Sequence, residues 1–351
     1  MRRLSPLLCL LLTASAAAPA PSDVAVGRTT PLRWKNGAQA AISVTMDDGY
    51  ASQWRFMSSL LASRGFAGTF FIVTGWVDSE DHWARWKEVA DAGHEIGSHG
   101  MTHKPLSGMK PSQLAAELEG SRRRIQERLG AAHGRTLAYP QSTATPELAS
   151  AAARAGYDAA RTGGIAYTPP TPDDFHRIPS LHPLTSTPLW EMNSWVDDIR
   201  EKGGWLVVGV HGIADPDAPV SPTQEGWEAI PVERYVAFVD HMAAAGNEVW
   251  VAPFGQVARY IRGRDAVRAS TRSVSADALQ ISLNGPPGGT ELTFETTVPA
   301  SWAEVTVTGG RKDDQAPRPT RPEKGARVVR FSAAPPASVV IRPTALAIPA
   351  R

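Results

Sequence analysis

Residues 40–50 read Ala40-Ala41-Ile42-Ser43-Val44-Thr45-Met46-Asp47-Asp48-Gly49-Tyr50. The first seven are small, β-branched or apolar without a break, which predicts a buried strand over 40–46. Two carboxylates and a glycine follow. Adjacent aspartates at a strand end repel each other and lose hydration, so folding alone gives little reason to set them there. A cation would relieve that repulsion, with one aspartate binding it and the other serving as a base. Asp-Asp-Gly is also good turn chemistry, and on this stretch alone the turn is the simpler reading.

Outward from this stretch, strand and helix patterns alternate. Residues 53–63 have helical spacing at Trp54, Met57, Leu60 and Leu61, and 67–73 read as a second buried strand. A helix over 81–92 carries Trp83, Trp86 and Val89, and a short strand over 94–98 runs into SHGMTH. A charged helix over 111–129 has its apolar stripe at Leu114, Leu118 and Ile125. The strand over 136–139 ends in Pro140-Gln141, and an alanine-rich helix covers 146–155. Strand candidates at 158–162 and 175–179 are followed by a helix over 189–202 and an apolar strand over 205–210, closed by His211. A helix over 232–245, a strand over 248–252 and a helix over 256–262 complete the series.

About seven such alternations call for a parallel sheet covered by helices, either a barrel or a doubly wound sheet. Asp47-Asp48, His99, Pro140-Gln141 and His211 all fall where a strand has just ended. Polar chemistry at the carboxyl ends of many strands is what a barrel produces, whereas an open sheet gathers it at one switch point. The expectation is an α/β fold: a distorted (β/α)7-type barrel over residues 38–265, after a polar lead-in over 21–37. From 266 to 351 the texture changes to short strand patterns (279–283, 291–297, 304–307, 327–331 and 338–341) separated by Gly and Pro clusters. That predicts a small all-β sandwich.

The chain has 351 residues, 42% hydrophobic and 20% charged, with a net charge of +1, so nothing in bulk points to nucleic acid or an anionic membrane. Residues 1–20 have the pattern of a cleavable secretory signal peptide: Arg2 and Arg3, then a short apolar core, then small residues. The single cysteine, Cys9, lies inside it. The mature chain would then carry about one net negative charge and no cysteine, in a secreted or periplasmic setting. No later stretch is long and apolar enough to cross a membrane as a helix. Oligomeric state is unreadable.

His99 and His103 are four apart, a spacing that on a helical turn sets both imidazoles on one face. With one carboxylate of Asp47-Asp48 they make a two-histidine, one-acid set. Two surface histidines on a helix give the same pattern. His211 reads either as a buried, hydrogen-bonded core residue or as a general acid. His94 is assigned a structural role and His133 a solvated loop; His176, His182 and His241 have no partner in sequence. Trp83, Trp86 and Trp250 fit the core, whereas Trp76 and Trp227 fall in rim loops as core residues or as walls for sugar rings.

TMDDGY, then SHGMTH about fifty residues on, then AYPQ and WLVVGVHG, resembles the polysaccharide deacetylases with a NodB homology domain, carbohydrate esterase family four, over about 32–264. The resemblance implies a distorted barrel that removes acetyl groups from N- or O-acetylated glycans with a divalent metal. Zinc is expected first, with cobalt or nickel as substitutes. It makes Asp47 the base, Asp48, His99 and His103 the metal ligands, and His211 the acid. The Gln141 amide would serve the oxyanion, with Tyr139 beside it on the substrate side. Met46, Gly100 and Ala138 depart from the family pattern. Ala138 stands where an arginine would orient the base, and Arg161, ending the next strand, is its expected replacement. The residue that tunes the acid has no clean match, Asp158 and Asp174 being candidates. An acetylxylan-type esterase and a non-catalytic glycan-binding protein remain as alternatives.

Overall fold

The computed structural model describes residues 26–77, 79–214, 226–287, 289–312 and 326–344. The segment read as a signal peptide lies outside the described residues, as does most of the rim loop before Trp227. Strand β1 is Thr29–Pro31 and β2 is Ala40–Asp48. Every residue of β2 is buried, as its small and β-branched composition requires of a strand with neighbours on both edges. There follow β3 (Thr69–Ile72), β4 (Glu95–Ser98), β5 (Thr136–Ala138), β6 (Ala159–Gly163), β7 (Ile178–Ser180) and β8 (Trp205–Val210).

Strands β2 to β8 form one parallel sheet in which β2 pairs with β3 on one edge and β8 on the other. Just past β7, the Leu181 N–H donates to Val207 O at 2.9 Å, and Gly209 N–H donates to Leu181 O at 2.8 Å. That pairing nearly closes a seven-stranded barrel, as the alternating pattern predicts. The short β9 (Ile213–Ala214) and β10 (Ile230–Pro231) pair with each other, and β11 (Val249–Val251) pairs with the start of β2.

The helices cover the barrel: α1 (Ser58–Ser63), α2 (Glu80–Asp91), α3 (Pro111–Ala115), α4 (Ser121–Leu129), α5 (Pro146–Arg154), α6 (Leu189–Lys202), α7 (Val232–Ala244) and α8 (Phe254–Ala266). Between α3 and α4 the helix widens into a π turn, Ala116–Gly120. Trp83 and Trp86 are buried under α2 and Trp250 is half-buried. The first turn of α8 is held at the amino rim by buried side chains: Phe254 N–H donates to Thr69 Oγ1 and Gly255 N–H to the Glu95 carboxylate, both at 2.8 Å. A carboxylate at a helix N-terminus complements the exposed N–H groups there.

Beyond α8, β12 (Arg268–Ser275), β13 (Ala278–Asn284), β14 (Leu292–Pro299), β15 (Val305–Thr308), β16 (Arg311–Lys312), β17 (Ala326–Ala333) and β18 (Ala337–Pro343) form two antiparallel sheets. Their orders are β1-β14-β17-β16 and β12-β13-β18-β15. Ile281, Phe294, Phe331 and Ile341 pack between them, Phe294 stacking on Phe331 at 5.4 Å. The polar lead-in is therefore not a bare leader: Thr29–Pro31 is an edge strand of this sandwich, paired with β14. β12 is also missing from the sequence reading because it is an exposed edge strand with little apolar alternation. Trp250 and Tyr260 join the two cores, 5.0 Å apart, and the Tyr260 hydroxyl donates to Leu32 O.

Candidate active site

Successive residues of a regular strand face opposite ways. Asp48 breaks that alternation with a positive φ of 75°, and both carboxylates line one cleft at the carboxyl rim of the barrel. Gln53, fully buried, donates through Nε2 to Asp47 O and to His211 O, tying the ends of β2 and β8 together.

His99 and His103 do not lie on a helix. They stand in a loop after β4 in which Gly100 and His103 both have positive φ, 76° and 59°. The loop still brings the imidazoles together, ring centroids 5.0 Å apart. His99 Nε2 is 3.5 Å and His103 Nε2 3.3 Å from Asp48 Oδ1. His99 Nδ1 bonds Ala138 O at 2.8 Å, which turns Nε2 towards Asp48. Burial lowers His99 to about 4 and lowers His103 as well, so both are neutral with a lone pair to offer. Burial, then the Asp47 charge, raises Asp48 to about 7, and its Oδ1 is buried without a hydrogen-bond partner among the described residues. A buried carboxylate oxygen facing two neutral imidazole nitrogens fits a divalent cation.

The loop is held from below. Glu117, buried in the π turn, accepts from Met101 N–H at 2.6 Å, from Thr102 N–H at 3.0 Å and from the Thr102 hydroxyl. A Cβ on Gly100 would lie 3.0 Å from Glu117 Oε2, so a side chain there would crowd the carboxylate. Thr102 and Glu117 thus brace the loop that carries both imidazoles. Glu117→Ala is expected to weaken divalent-metal binding roughly 10–100-fold, the usual cost of losing an outer support. Calorimetric titration with zinc would measure it.

On the other side of Asp47 stands Arg161, fully buried on β6, its Nη2 donating to Asp47 Oδ1. Burial pushes Asp47 up, but the Arg161 guanidinium outweighs it and holds the carboxyl below the usual carboxylate range. His211 Nε2 is 4.0 Å from Asp47 Oδ2. Neither expected tuning aspartate reaches His211. Asp158 pairs with Arg135 and Arg259, and Asp174 accepts from His176 N–H. Tyr139 also differs from expectation. It shares the outward face of its segment with Leu137, is buried against α5, and donates its hydroxyl to His176 O at 3.0 Å rather than facing the cleft. Gln141, with a φ of 57°, does line the cleft.

Trp76 and Trp227 are half-exposed cleft residues on either side of the site. Trp76 lies 5.3 Å from His103, and Trp227 4.8 Å, edge to face, from His211. His94 and His133 accept from Gly68 N–H and Ile96 N–H, so His133 is bonded, not merely solvated. His241 pairs with Asp197. His182 is the residue sequence reasoning missed: it stands two positions past β7, inside the cleft, within 3.4 Å of Arg161 Nη1. The signal was its place after a strand end, obscured because the strand candidate stopped at Pro179.

The polysaccharide deacetylase family model matches residues 35–160, the part of the nearly closed barrel that carries the aspartate and the two histidines. The chain is 23% identical over 305 residues to a gellan lyase from a Bacillus species, covering 78% of this chain and 12% of that protein. It is 27% identical over 127 residues to YxkH of Bacillus subtilis, named for the polysaccharide deacetylases, covering 35% and 44%. The chain thus spans less than half the length of either relative. Its fold is similar to that of a Mycobacterium smegmatis structure assigned to the polysaccharide deacetylases (TM-score 0.50, 17% identity), covering 68% of this chain and 95% of that one.

Proposed function

We propose that this protein is a metal-dependent deacetylase that hydrolyses acetyl groups of a glycan, N-acetyl ahead of O-acetyl. The observation that carries the reading is the unpartnered Asp48 Oδ1 between two imidazoles, set beside a second carboxylate that an arginine keeps ionised. Asp48, His99 and His103 hold the metal, which when bound supplies a Lewis acid for the acetyl carbonyl. Asp47 Oδ2, the oxygen that Arg161 leaves open, takes the proton of the attacking water. Because Arg161 makes Asp47 a weak base, the proton does not rest there. His211, whose burial keeps it neutral beforehand, receives it and gives it to the departing nitrogen or oxygen. The Gln141 amide is assigned to the developing oxyanion.

The cleft, about 980 Å³, supports a carbohydrate occupant. Trp76 and Trp227 offer aromatic faces at its two sides, and Ile165, Leu184 and Trp195 extend the wall towards α6. Among the described lining residues there is no lysine or arginine, and Asp47, Asp48 and Glu191 are acidic. That supports an uncharged or amine-bearing glycan over an anionic one. If residues 1–20 are cleaved on export, the enzyme acts outside the cytoplasm, which N-terminal sequencing of the exported chain would read.

Acetate release from N-acetylglucosamine oligomers, peptidoglycan and acetylxylan, measured side by side, tests the activity and separates amide from ester cleavage. Excess chelator is expected to abolish release and added zinc to restore it. Undiminished turnover in chelator would overturn the metal's role.

A further inference from the structure

Asp47, His182 and His211 each place one ligand atom within 4.8 Å of the others, a second group with the composition of a metal site. Arg161 argues against a cation there. Its guanidinium is already on Asp47 Oδ1 and reaches His182 Nε2 at 3.4 Å, so a second positive charge would be repelled in a dry environment. The arrangement has another use. Arg161 Nη1 also donates to Ser180 Oγ at 3.3 Å, and Ser180 Oγ lies 2.8 Å from His182 Nε2 and 2.8 Å from Thr162 O. Arginine only donates, so this edge of the guanidinium needs an acceptor, which is Ser180 Oγ; with its own hydrogen given to Thr162 O, that oxygen also accepts from His182 Nε2–H, so the neutral imidazole fixes the acceptor in place. Burial, then Arg161, lowers His182 to about 3, which keeps it neutral.

The fold makes room for this imidazole. His182 lies across the backbone of β8 at Gly209, where a Cβ would come within 2.5–2.9 Å of three ring atoms. A glycine in the middle of a buried strand weakens it unless something must approach closely, and here the ring does.

We propose that His182 is a positioning residue that, with Ser180, holds the Nη1 edge of Arg161, so that Nη2 stays on Asp47 Oδ1 and Oδ2 is left open on the His211 side. It acts through Arg161, not on substrate. The kinetic consequence rests on the deacetylase reading; the placement of the guanidinium does not.

Two measurements test it. In the first, His182→Ala is expected to lower kcat about 10–100-fold with KM and zinc affinity changed less than about threefold, since a small misplacement of a base costs that much. His182→Gln, which restores a polar group near Nε2, recovers most of the loss, and Gly209→Ala, which displaces an intact imidazole, reproduces it. In an Arg161→Ala background, His182→Ala has little further effect, as expected of groups acting in series. Full kcat in His182→Ala, or losses that multiply in the double variant, would overturn the proposal. In the second, a crystal structure and ¹⁵N NMR of the Arg161 guanidinium compare wild type with His182→Ala, or with Gly209→Ala if that variant fails to fold. A guanidinium unmoved on Asp47 would overturn the proposal whatever the activity. A wild-type enzyme that releases no acetate from any substrate would overturn the deacetylase reading alone, and the second measurement still decides the role of His182.

Discussion

Asp47→Asn is expected to lower kcat for acetate release by about 10³-fold, within the range of a lost general base, while metal affinity changes less than about tenfold. The asparagine carbonyl can still accept from Arg161 Nη2, and the amide nitrogen then occupies the place of Oδ2, facing His211 and the cleft with a donor instead of an acceptor. The shape of the site is kept and its proton acceptor is gone. The group that could hold a metal, Asp48 with His99 and His103, does not include Asp47, so zinc titration should separate loss of the base from loss of the metal. An Asp47→Asn enzyme with wild-type kcat would remove Asp47 from the chemistry.

Arg161→Met should be nearly as costly in rate and far more so in stability. Arg161 and Asp47 are both buried, and removing one partner of a buried pair costs about 3–5 kcal/mol because the other charge is left without compensation. For a domain of this size that is a fall in Tm of roughly 10 °C. The sign with pH is specific. In the wild type, Asp47 titrates below its unfolded value, so the stability it contributes is present above that value and lost only as pH falls below it. Without the guanidinium, burial pushes Asp47 above its unfolded value. The penalty is then full at high pH and relieved as pH falls towards the unfolded value. The Tm gap between variant and wild type should therefore be wider at about pH 8 than at about pH 5. A gap independent of pH would mean that Arg161 matters for packing alone, against Phe71, whose ring lies 5.1 Å from the guanidinium carbon.

The barrel was legible because its strands are buried on both faces and so write continuous apolar runs, β2 and β8 most clearly. The site was legible because its residues follow those runs. Asp47, Asp48, His99, Gln141 and His211 each stand at or just past a strand end, and the structure gathers them in one cleft. The histidine pair shows how a correct grouping can rest on a wrong cause. The four-residue spacing suggested a helical turn, whereas a loop with two positive φ values, tied down by Glu117, brings the rings together. Nothing local in the sequence marks Glu117, sixteen positions past Met101, as the partner of that loop. Tyr139 was misplaced because a motif names positions, while the pleat decides which of them face inward. The edge strands β1 and β12 were illegible for a different reason: polar edges have little burial to record.

β1 and its neighbour in the sandwich are joined by a hydrogen bond between Thr29 and Thr296 that spans 267 positions. A ribosome adding about 5–20 residues per second emits the leading strand tens of seconds before its mate exists. The barrel, whose seventh strand ends at Val210 and whose last covering helix ends at Ala266, can close in that interval, while Thr29–Pro31 waits with an unpaired edge. The sandwich is then the clasp that fastens Thr29–Pro31 to a strand made long after it. A nascent chain arrested near residue 285 should hold a protease-resistant barrel and a leading strand still open to cleavage.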